Sequence, residues 1–272
     1  MTDAPERDAS LLVPPPADDV AGRLPLVAED DDAFASGIAL QLLRLRPGRP
    51  VAERTARETA WLLLSGDCEV TCGGLHARVT RRSLFDETPW TLHAASGSEV
   101  TFRAHGATEW AVLEASNPSA FAPRLFRPDE CARETRGKGL AQGACEREVR
   151  LVFDQSLRPE SALVLGEVVN HPGKWSSYPP HAHPQSEVYH YRFDAPQGYG
   201  HAECGDRVFR VRSGHTLKIP GGRAHAQVSA PGYAMWYLWA VRHLPHAPYT
   251  GFVTDPEHAW VLDPAHQGWR PA

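Results

Sequence analysis

Short apolar runs interrupted by glycine and proline occupy most of the chain after residue 37. The run from Glu58 to Leu64 ends at a Ser-Gly-Asp turn, and the segment from Val188 to Phe193 alternates in the manner of a strand. With 24 prolines, 22 glycines and few stretches of helical periodicity, the pattern is typical of many short strands. We therefore predict an all-β fold.

The two halves of the chain share this pattern. Glu58 opens an apolar run much as Glu187 does, and the turn at residues 95–100 occupies the place of the turn at residues 220–225. The first copy lacks the histidines of the second. We interpret the chain as a diverged repeat, in which the first copy is kept for packing or for an oligomer interface.

The side chains best suited to chemistry lie in the second half. His181 and His183 are two positions apart on an extended segment, so both imidazoles face the same side. Glu187 follows, and a turn at residues 184–186 is predicted to fold the two strands together and bring its carboxylate to the histidines. His225 follows a proline-glycine turn. This set predicts a site for one divalent metal ion per chain.

Ligand type narrows the identity of the ion only in part. Zinc is expected first, although manganese, iron, nickel and cobalt also accept nitrogen and oxygen ligands. Three neutral imidazoles and one carboxylate leave a net charge of about +1 and open positions for two substrate oxygens. Such a site is a suitable electrophile for a carbonyl group.

Charge and composition exclude several classes of protein. The chain has 272 residues and a net charge of -5, so nothing argues for nucleic-acid binding. No apolar run is long enough to cross a membrane, and the charged first residues are unlike a signal peptide. Five cysteines without a regular framework are unlike a secreted disulfide scaffold. We expect a cytoplasmic protein with free thiols.

The motif HxHxxxE, followed by a proline-glycine turn and a histidine, resembles the two metal motifs of the cupin superfamily. The series REVR at Arg147, LGEVV at Leu165, GKWSSYPPHAH at Gly173 and EVYHYRF at Glu187 is similar to the 5-deoxy-glucuronate isomerase family of bacterial myo-inositol catabolism. The match runs through most of residues 147–262. The resemblance implies a divalent metal held by three histidines and one glutamate, and an aldose-ketose isomerisation in the cytoplasm.

The resemblance also implies a two-domain cupin, or bicupin, built from tandem double-stranded β-helix (jelly-roll) barrels. Residues 1–30 are then predicted to be an N-terminal arm, and residues 31–120 a degenerate barrel without metal. Residues 121–148 are the connector, and residues 149–272 the metal-binding barrel. We expect the chains to form a homo-oligomer.

Two tyrosines are candidates for proton transfer. Counted along the strand from Glu187, Tyr189 and Tyr191 point to the same side as the carboxylate, whereas His190 and Arg192 point away. Tyr189 or Tyr191 can donate to a substrate oxygen or relay a proton. The alternative is that each is an aromatic packed in the barrel with its hydroxyl group satisfied.

A uronic acid substrate needs a cation for its carboxylate. Lys174, Arg192 and Arg223 are the cationic residues closest in sequence to the site, although alternation points Arg192 outward. Tyr178, beside two prolines, is a candidate for the mouth of the site. We therefore predict that substrate contacts come from these four residues.

Other functions are compatible with the same motifs. A related uronate ketol-isomerase of pectin breakdown would share the reaction, and a cupin dioxygenase would share the metal ligands but would consume oxygen. A non-catalytic sugar-binding cupin would return its ligand unchanged. Each of these alternatives takes a small molecule, and none requires a membrane or a nucleic acid.

Overall fold

The computed structural model describes residues 11–18, 20–31, 34, 36–263 and 268–269. Within these residues the regular structure consists of strands and three short 3-10 helices, at Pro128–Glu130, Leu140–Gly143 and Ala259–Leu262. None of the helices described has the length and apolar character needed to span a bilayer. The predicted all-β fold is confirmed.

The strands are short apart from one. In chain order they are β1 (Leu12–Val13), β2 (Gly22–Val27), β3 (Ala39–Leu45), β4 (Val51–Arg54), β5 (Glu58–Cys72), β6 (Leu75–Arg81), β7 (Thr91–Ala94), β8 (Glu99–Ala104), β9 (Thr108–Ala115), β10 (Arg124–Phe126), β11 (Ala132–Arg136), β12 (Arg147–Phe153), β13 (Leu163–Asn170), β14 (Trp175–Ala182), β15 (Glu187–Phe193), β16 (Tyr199–Cys204), β17 (Arg207–Arg212), β18 (Thr216–Ile219), β19 (His225–Ser229), β20 (Met235–Arg242) and β21 (Val253–Thr254).

The strands form two barrels, each with two sheets. In the first barrel, the order β10-β7-β5-β9-β3-β2 makes one sheet, and the 15-residue β5 continues into a second sheet with β6, β8 and β4. In the second barrel, the sheet β1-β18-β15-β20-β13-β12-β11 faces the sheet β17-β16-β19-β14-β21. The order β7-β5-β9-β3-β2 corresponds to β18-β15-β20-β13-β12, which confirms the diverged repeat.

Three hydrophobic cores result from side-chain alternation. One core fills the first barrel around Trp61, and another fills the second barrel around Tyr191. A third lies between the barrels, where Leu40 and Leu62 of the first meet Trp236 and Leu238 of the second. The larger sheets of the two barrels therefore pack face to face.

A buried ion cluster crosses the interface between the barrels. The carboxylate of Glu167 on β13 accepts hydrogen bonds from Arg81 of the first barrel at 2.7 Å and from Arg150 on β12 at 2.8 Å. These side chains are at most 1% exposed. The guanidinium groups donate further to backbone carbonyls of the first barrel, at Leu63, Leu84, Phe85 and Glu87. Glu167 is thus shared by two buried cations, of which Arg150 also pairs with Glu148.

The predicted arm and the predicted connector both contribute strands to the sheets of the two barrels. From the predicted arm, β1 pairs with β18 of the second barrel, whereas β2 pairs with β3 of the first. The first ten residues of the arm lie outside the described residues. From the predicted connector, β10 pairs with β7 of the first barrel and β11 with β12 of the second. These short strands cover sheet edges that would otherwise expose unpaired backbone groups.

Neutralising Glu167 should destabilise the fold. Glu167→Gln keeps the shape of the side chain but leaves Arg81 buried without a counter-charge, which typically costs about 3–5 kcal/mol, whereas Arg150 keeps its ion pair with Glu148. Denaturant unfolding followed by tryptophan fluorescence measures the loss. The matched control is Glu99→Gln, because Glu99 forms an ion pair with Arg54 at the surface; exposed pairs contribute little. Equal unfolding midpoints for the two variants would contradict the role of the cluster.

Candidate metal centre

His181 and His183 lie at the end of β14 and point into the second barrel. The register of β14 against β19 shifts between Ser176 and His181, and Ser177 within this irregularity has a positive φ of 56°. Both histidines are buried, and their ring centroids are 6.3 Å apart. The prediction that the two imidazoles share a face is confirmed.

The turn that follows them does not form a hairpin. β14 pairs with β19 and β21 in the smaller sheet, whereas β15 pairs with β18 and β20 in the larger one. Residues 184–186 therefore carry the chain from one sheet to the other, and the prediction that they fold the two strands together is wrong. The crossing still places Glu187 opposite the histidines, because the two sheets face each other across the barrel.

His225 comes to the same place through strand pairing. It opens β19, where its register partner is His181, and the two ring centroids are 4.5 Å apart. Register partners in an antiparallel pair share a face of the sheet. The histidine that follows the proline-glycine turn therefore lies beside the first histidine of the motif, as the sequence predicted.

A compact group of ligand-type atoms results. Nitrogen and oxygen atoms of His183, Glu187 and His225 lie within 4.8 Å of one another, and all three residues are buried. Oε2 of Glu187 is 3.1 Å from Nε2 of His183 and 3.4 Å from Nε2 of His225. His181 lies outside this group of three but contacts the His225 ring.

The tautomer of each histidine suits a metal ligand. In all three the Nδ1 atom faces a backbone carbonyl, at 3.3 Å for His181 and Ser177, 2.9 Å for His183 and Gln185, and 3.0 Å for His225 and Arg223. Because a carbonyl only accepts, Nδ1 carries the hydrogen and Nε2 keeps its lone pair. Nε2 of His225 is buried without a hydrogen-bond partner. The Nε2 lone pairs of these histidines are thus free to bind a divalent ion.

The charges of the group also fit a cation. Burial, followed by the proximity of His225, lowers the pKa of His181 to about 3, so its ring is neutral. Burial by itself raises the pKa of Glu187, but the neighbouring His183 and His225 side chains outweigh it and bring the pKa to about 2. A neutral imidazole and an ionised carboxylate are the forms that bind metal.

The two candidate tyrosines have different surroundings. Both point to the same side of β15 as Glu187, as alternation predicted. The hydroxyl of Tyr189 donates to Oε2 of Glu187 at 3.0 Å, whereas the hydroxyl of Tyr191 donates to Oε1 of Gln227 at 2.9 Å. Burial and the charge of Glu187 raise the pKa of Tyr189 well above its usual value. Tyr189 is therefore a neutral phenol at the carboxylate.

A cavity of about 420 Å³ opens beside the group. That volume lies within the range of sites for small molecules. Its lining combines two of the candidate metal ligands with aromatic rings and two cations, and includes His181, Glu187, Tyr189, Tyr237, Trp239, Tyr249, Phe252, Arg136 and Arg147. Tyr191 does not belong to the lining.

The four residues predicted to contact substrate lie elsewhere. None of Lys174, Tyr178, Arg192 and Arg223 lines the cavity. Lys174 donates to the carbonyl of Gly143, and Arg192 forms an ion pair with Glu109 of the first barrel. Arg223 lies against Gly205, and the ring of Tyr178 packs on Trp175. Proximity in sequence was a poor guide, because the cavity is closed by strands that are distant in sequence.

Two parts of the cavity escaped the sequence reasoning. Arg136 lies in the predicted connector, and Arg147 in the first motif of the second half. A loop after β20 brings Phe252 to a ring distance of 4.1 Å from His181, and Tyr249 to 5.1 Å from His183. Arg147 and Val149 are two positions apart on β12, so both side chains point to the face that lines the cavity. If that face had been recognised in the sequence, alternation would have identified Arg147.

The equivalent position of the first barrel is filled differently. Glu58 accepts hydrogen bonds from Asn117, Ser161 and the backbone of Ala162. His93 donates from Nε2 to Glu58 at 2.8 Å, because its Nδ1 accepts from Arg158. Both groups already have partners, and among the described residues the candidate metal ligands cluster in the second barrel.

Known proteins resemble this chain over most of its length. The model of the KduI/IolB family matches residues 11–261. A 5-deoxy-glucuronate isomerase from Geobacillus thermodenitrificans is 27% identical over 83% of this chain and 86% of its own.

Solved structures agree on the fold. An IolB-like protein from Salmonella typhimurium LT2 superimposes with a TM-score of 0.82 at 23% identity, over 93% of this chain and 99% of that one. A cupin 2 conserved barrel domain protein from Leptotrichia buccalis has a TM-score of 0.52 at 12% identity, over 84% of this chain and 91% of that one. The fold is a pair of cupin barrels.

Metal analysis tests the centre directly. Purified protein should contain about one equivalent of divalent metal, since the described cluster lies in one barrel. His183→Ala should lose the metal yet stay folded by circular dichroism, because the barrel is closed by apolar burial rather than by the ion. His76→Ala, at an exposed position of the first barrel, is the matched control and should keep the metal. Two equivalents, or full metal content in His183→Ala, would refute the assignment.

Proposed function

This chain belongs to the KduI/IolB family, and we propose on that basis that it is a metal-dependent aldose-ketose isomerase. Its proposed reaction converts 5-deoxy-glucuronate to 2-deoxy-5-keto-gluconate, in the cytoplasm and as a step of inositol catabolism. The relatives named 5-deoxy-glucuronate isomerase support the substrate. The observation that carries the proposal is the buried histidine-glutamate group beside a cavity large enough for a sugar acid.

The proposed metal ligands are His181, His183, Glu187 and His225. His183, Glu187 and His225 already converge, and His181 adds a neutral imidazole next to His225 with its Nδ1 directed to a carbonyl. Zinc is the proposed ion, because imidazole nitrogens and carboxylate oxygens are both usual zinc ligands in catalytic sites. A divalent ion held there supplies Lewis acidity for a substrate carbonyl.

The reaction moves a hydrogen between neighbouring carbons of the substrate. A proton leaves the carbon that bears the hydroxyl group, another reaches the former aldehyde carbon, and the oxygens exchange a proton. We assign Tyr189 to the proton transfer between the substrate oxygens. Its Oη holds a proton against Glu187 at 3.0 Å and borders the cavity, so it can give that proton to a substrate oxygen.

Aromatic rings keep water from the reacting carbons. Phe252 and Tyr249 lie over His181 and His183, and Tyr237 packs against Tyr189 with a ring distance of 5.0 Å. The hydroxyl of Tyr237 is bound to Ser176. Exclusion of water strengthens the hydrogen bonds within the site and prevents loss of a reactive intermediate.

Isotope exchange tests the reaction. Metal-loaded protein should convert 5-deoxy-glucuronate without oxygen, and in deuterated water the label should enter the carbon that was the aldehyde. Anaerobic turnover separates an isomerase from a dioxygenase, and chemical change of the ligand separates it from a sugar-binding protein. Product that appears only with oxygen consumption, or no product from any uronate while the metal site is full, would sink the proposal.

A pair of tyrosine variants tests the proton donor. Tyr189→Phe removes a hydroxyl group that borders the cavity, and it should lower kcat about 10²–10⁴-fold while the metal content stays intact. Tyr191→Phe removes a hydroxyl group two positions along the same strand, and its effect on kcat should be far smaller, because that group binds Gln227 instead. Equal losses in the two variants would contradict the assignment of Tyr189.

A further inference from the structure

Two arginines meet at one end of the cavity. Arg136 on β11 and Arg147 on β12 are register partners in an antiparallel pair, and both line the cavity. Like charges directly opposite each other destabilise such a pair. Two cations in this arrangement therefore favour an anion placed between or beside them.

Arg147 has no ion pair with a carboxylate among the described residues. One of its terminal nitrogens donates to the carbonyl of Cys145 at 2.9 Å, and its Nε is buried with no hydrogen-bond partner in the described part of the chain. Arg136 by contrast donates to Glu134 at 2.7 Å. Burial lowers the pKa of Arg147, and the charge of Arg136 adds to this effect. Arg147 is thus a half-buried cation with unused donors.

The arginines and the metal ligands occupy opposite ends of the same wall. Through the rows of the sheet, Arg147 aligns with Asn170, Met235 and finally Phe193, the last residue of β15. Glu187 is the first residue of that 7-residue strand. Such a strand spans about 20 Å, and the long arginine side chains shorten the free distance. Arg147 and Glu187 nevertheless line the same cavity, so a ligand that fills the cavity lies against both.

We propose that Arg147, assisted by Arg136, binds the carboxylate of the substrate and thereby fixes which end of the sugar meets the histidine-glutamate group. This assignment rests on the proposed function. In 5-deoxy-glucuronate the carboxylate is at the far end of the carbon chain from the aldehyde. Guanidinium groups suit this anion, because their planar N–H donors match the two carboxylate oxygens.

The pair then sets the substrate class. A sugar acid gains charge-assisted hydrogen bonds at Arg147, whereas a neutral sugar of the same length leaves the buried donors unpaired. Selectivity for uronic acids over aldoses would thus reside on β11 and β12, away from the reacting carbons. Lys174, Arg192 and Arg223 have no part in it, because their side chains lie outside the cavity.

Paired substrates test the proposal. We would compare 5-deoxy-glucuronate with 5-deoxy-glucose, which carries a hydroxymethyl group in place of the carboxylate. Arg147→Gln should lower kcat/KM for the acid by about 10- to 100-fold, mainly through KM, and leave the neutral sugar nearly unaffected. Arg136→Gln, at the more exposed position, should show the same trend with a smaller loss and provides a second variant in case Arg147→Gln does not fold.

The matched control is Arg133→Gln. Arg133 lies on the same strand as Arg136, but its side chain is 53% exposed and pairs with Glu148 on the other face. It should retain the kinetics of the unmodified protein with both substrates. Metal content and circular dichroism are measured for every variant, so that a change in selectivity is separated from damage to the metal centre.

Binding measurements separate this proposal from the proposed reaction. Calorimetry with D-glucuronate and D-glucose on metal-loaded protein should show a preference for the acid that Arg147→Gln abolishes. If the preference is present and lost in this way while 5-deoxy-glucuronate is not turned over, the carboxylate site stands and the reaction is wrong. If turnover proceeds but Arg147→Gln and Arg136→Gln keep the preference, or if the unmodified protein shows none, the carboxylate site is wrong.

Discussion

The alternation of side chains on one sheet is the constraint on which this molecule depends. The strands β12, β13, β15 and β20 separate the two barrels. Along each strand, successive side chains point alternately to the two faces of the sheet. On β20, Trp236 and Leu238 enter the core between the barrels, whereas Tyr237 and Trp239 enter the cavity. The same strands thus hold the barrels together and form the wall of the site. A shift of one residue in register would exchange the two faces.

The first barrel supports this wall, and among the residues that the structure describes its histidines and carboxylates form no group of metal ligands. Its larger sheet covers the outer face of the wall, and Arg81 reaches across to Glu167, the neighbour of a cavity-facing position on β13. Glu58, which corresponds to Glu187, is used instead to join the barrels through Asn117 and Ser161. A carboxylate at one place of the repeat therefore serves structure in one copy and is available for chemistry in the other.

The sequence predicted the side-chain directions that depend only on alternation along one strand. The shared face of His181 and His183, the direction of Tyr189 and the outward direction of Arg192 all follow from alternation, and the structure agrees with each. The cations of the cavity depend instead on which strands become neighbours. Arg136 reaches the site only because β11 adds to the edge of the larger sheet of the second barrel.

The same limit explains the error at residues 184–186. A short turn between two strands is compatible with a hairpin and with a crossing between sheets, and the choice depends on partners elsewhere in the chain. Here β19 and β21 pair with β14, and β18 and β20 pair with β15. Those pairings join segments that are remote in sequence, so no local signal near His183 or Glu187 could reveal them.

The pairing of β1 with β18 has a consequence for the order of folding. β1 precedes the whole first barrel, yet it completes a sheet of the second, and nearby Lys218 and Asp31 form an ion pair across 187 residues of chain. During synthesis the N-terminal segment emerges first and the first barrel can fold early. Strand β1 must then wait without its partner until β18 has left the ribosome. Contacts of such long range slow folding, so the second barrel is completed later than the first.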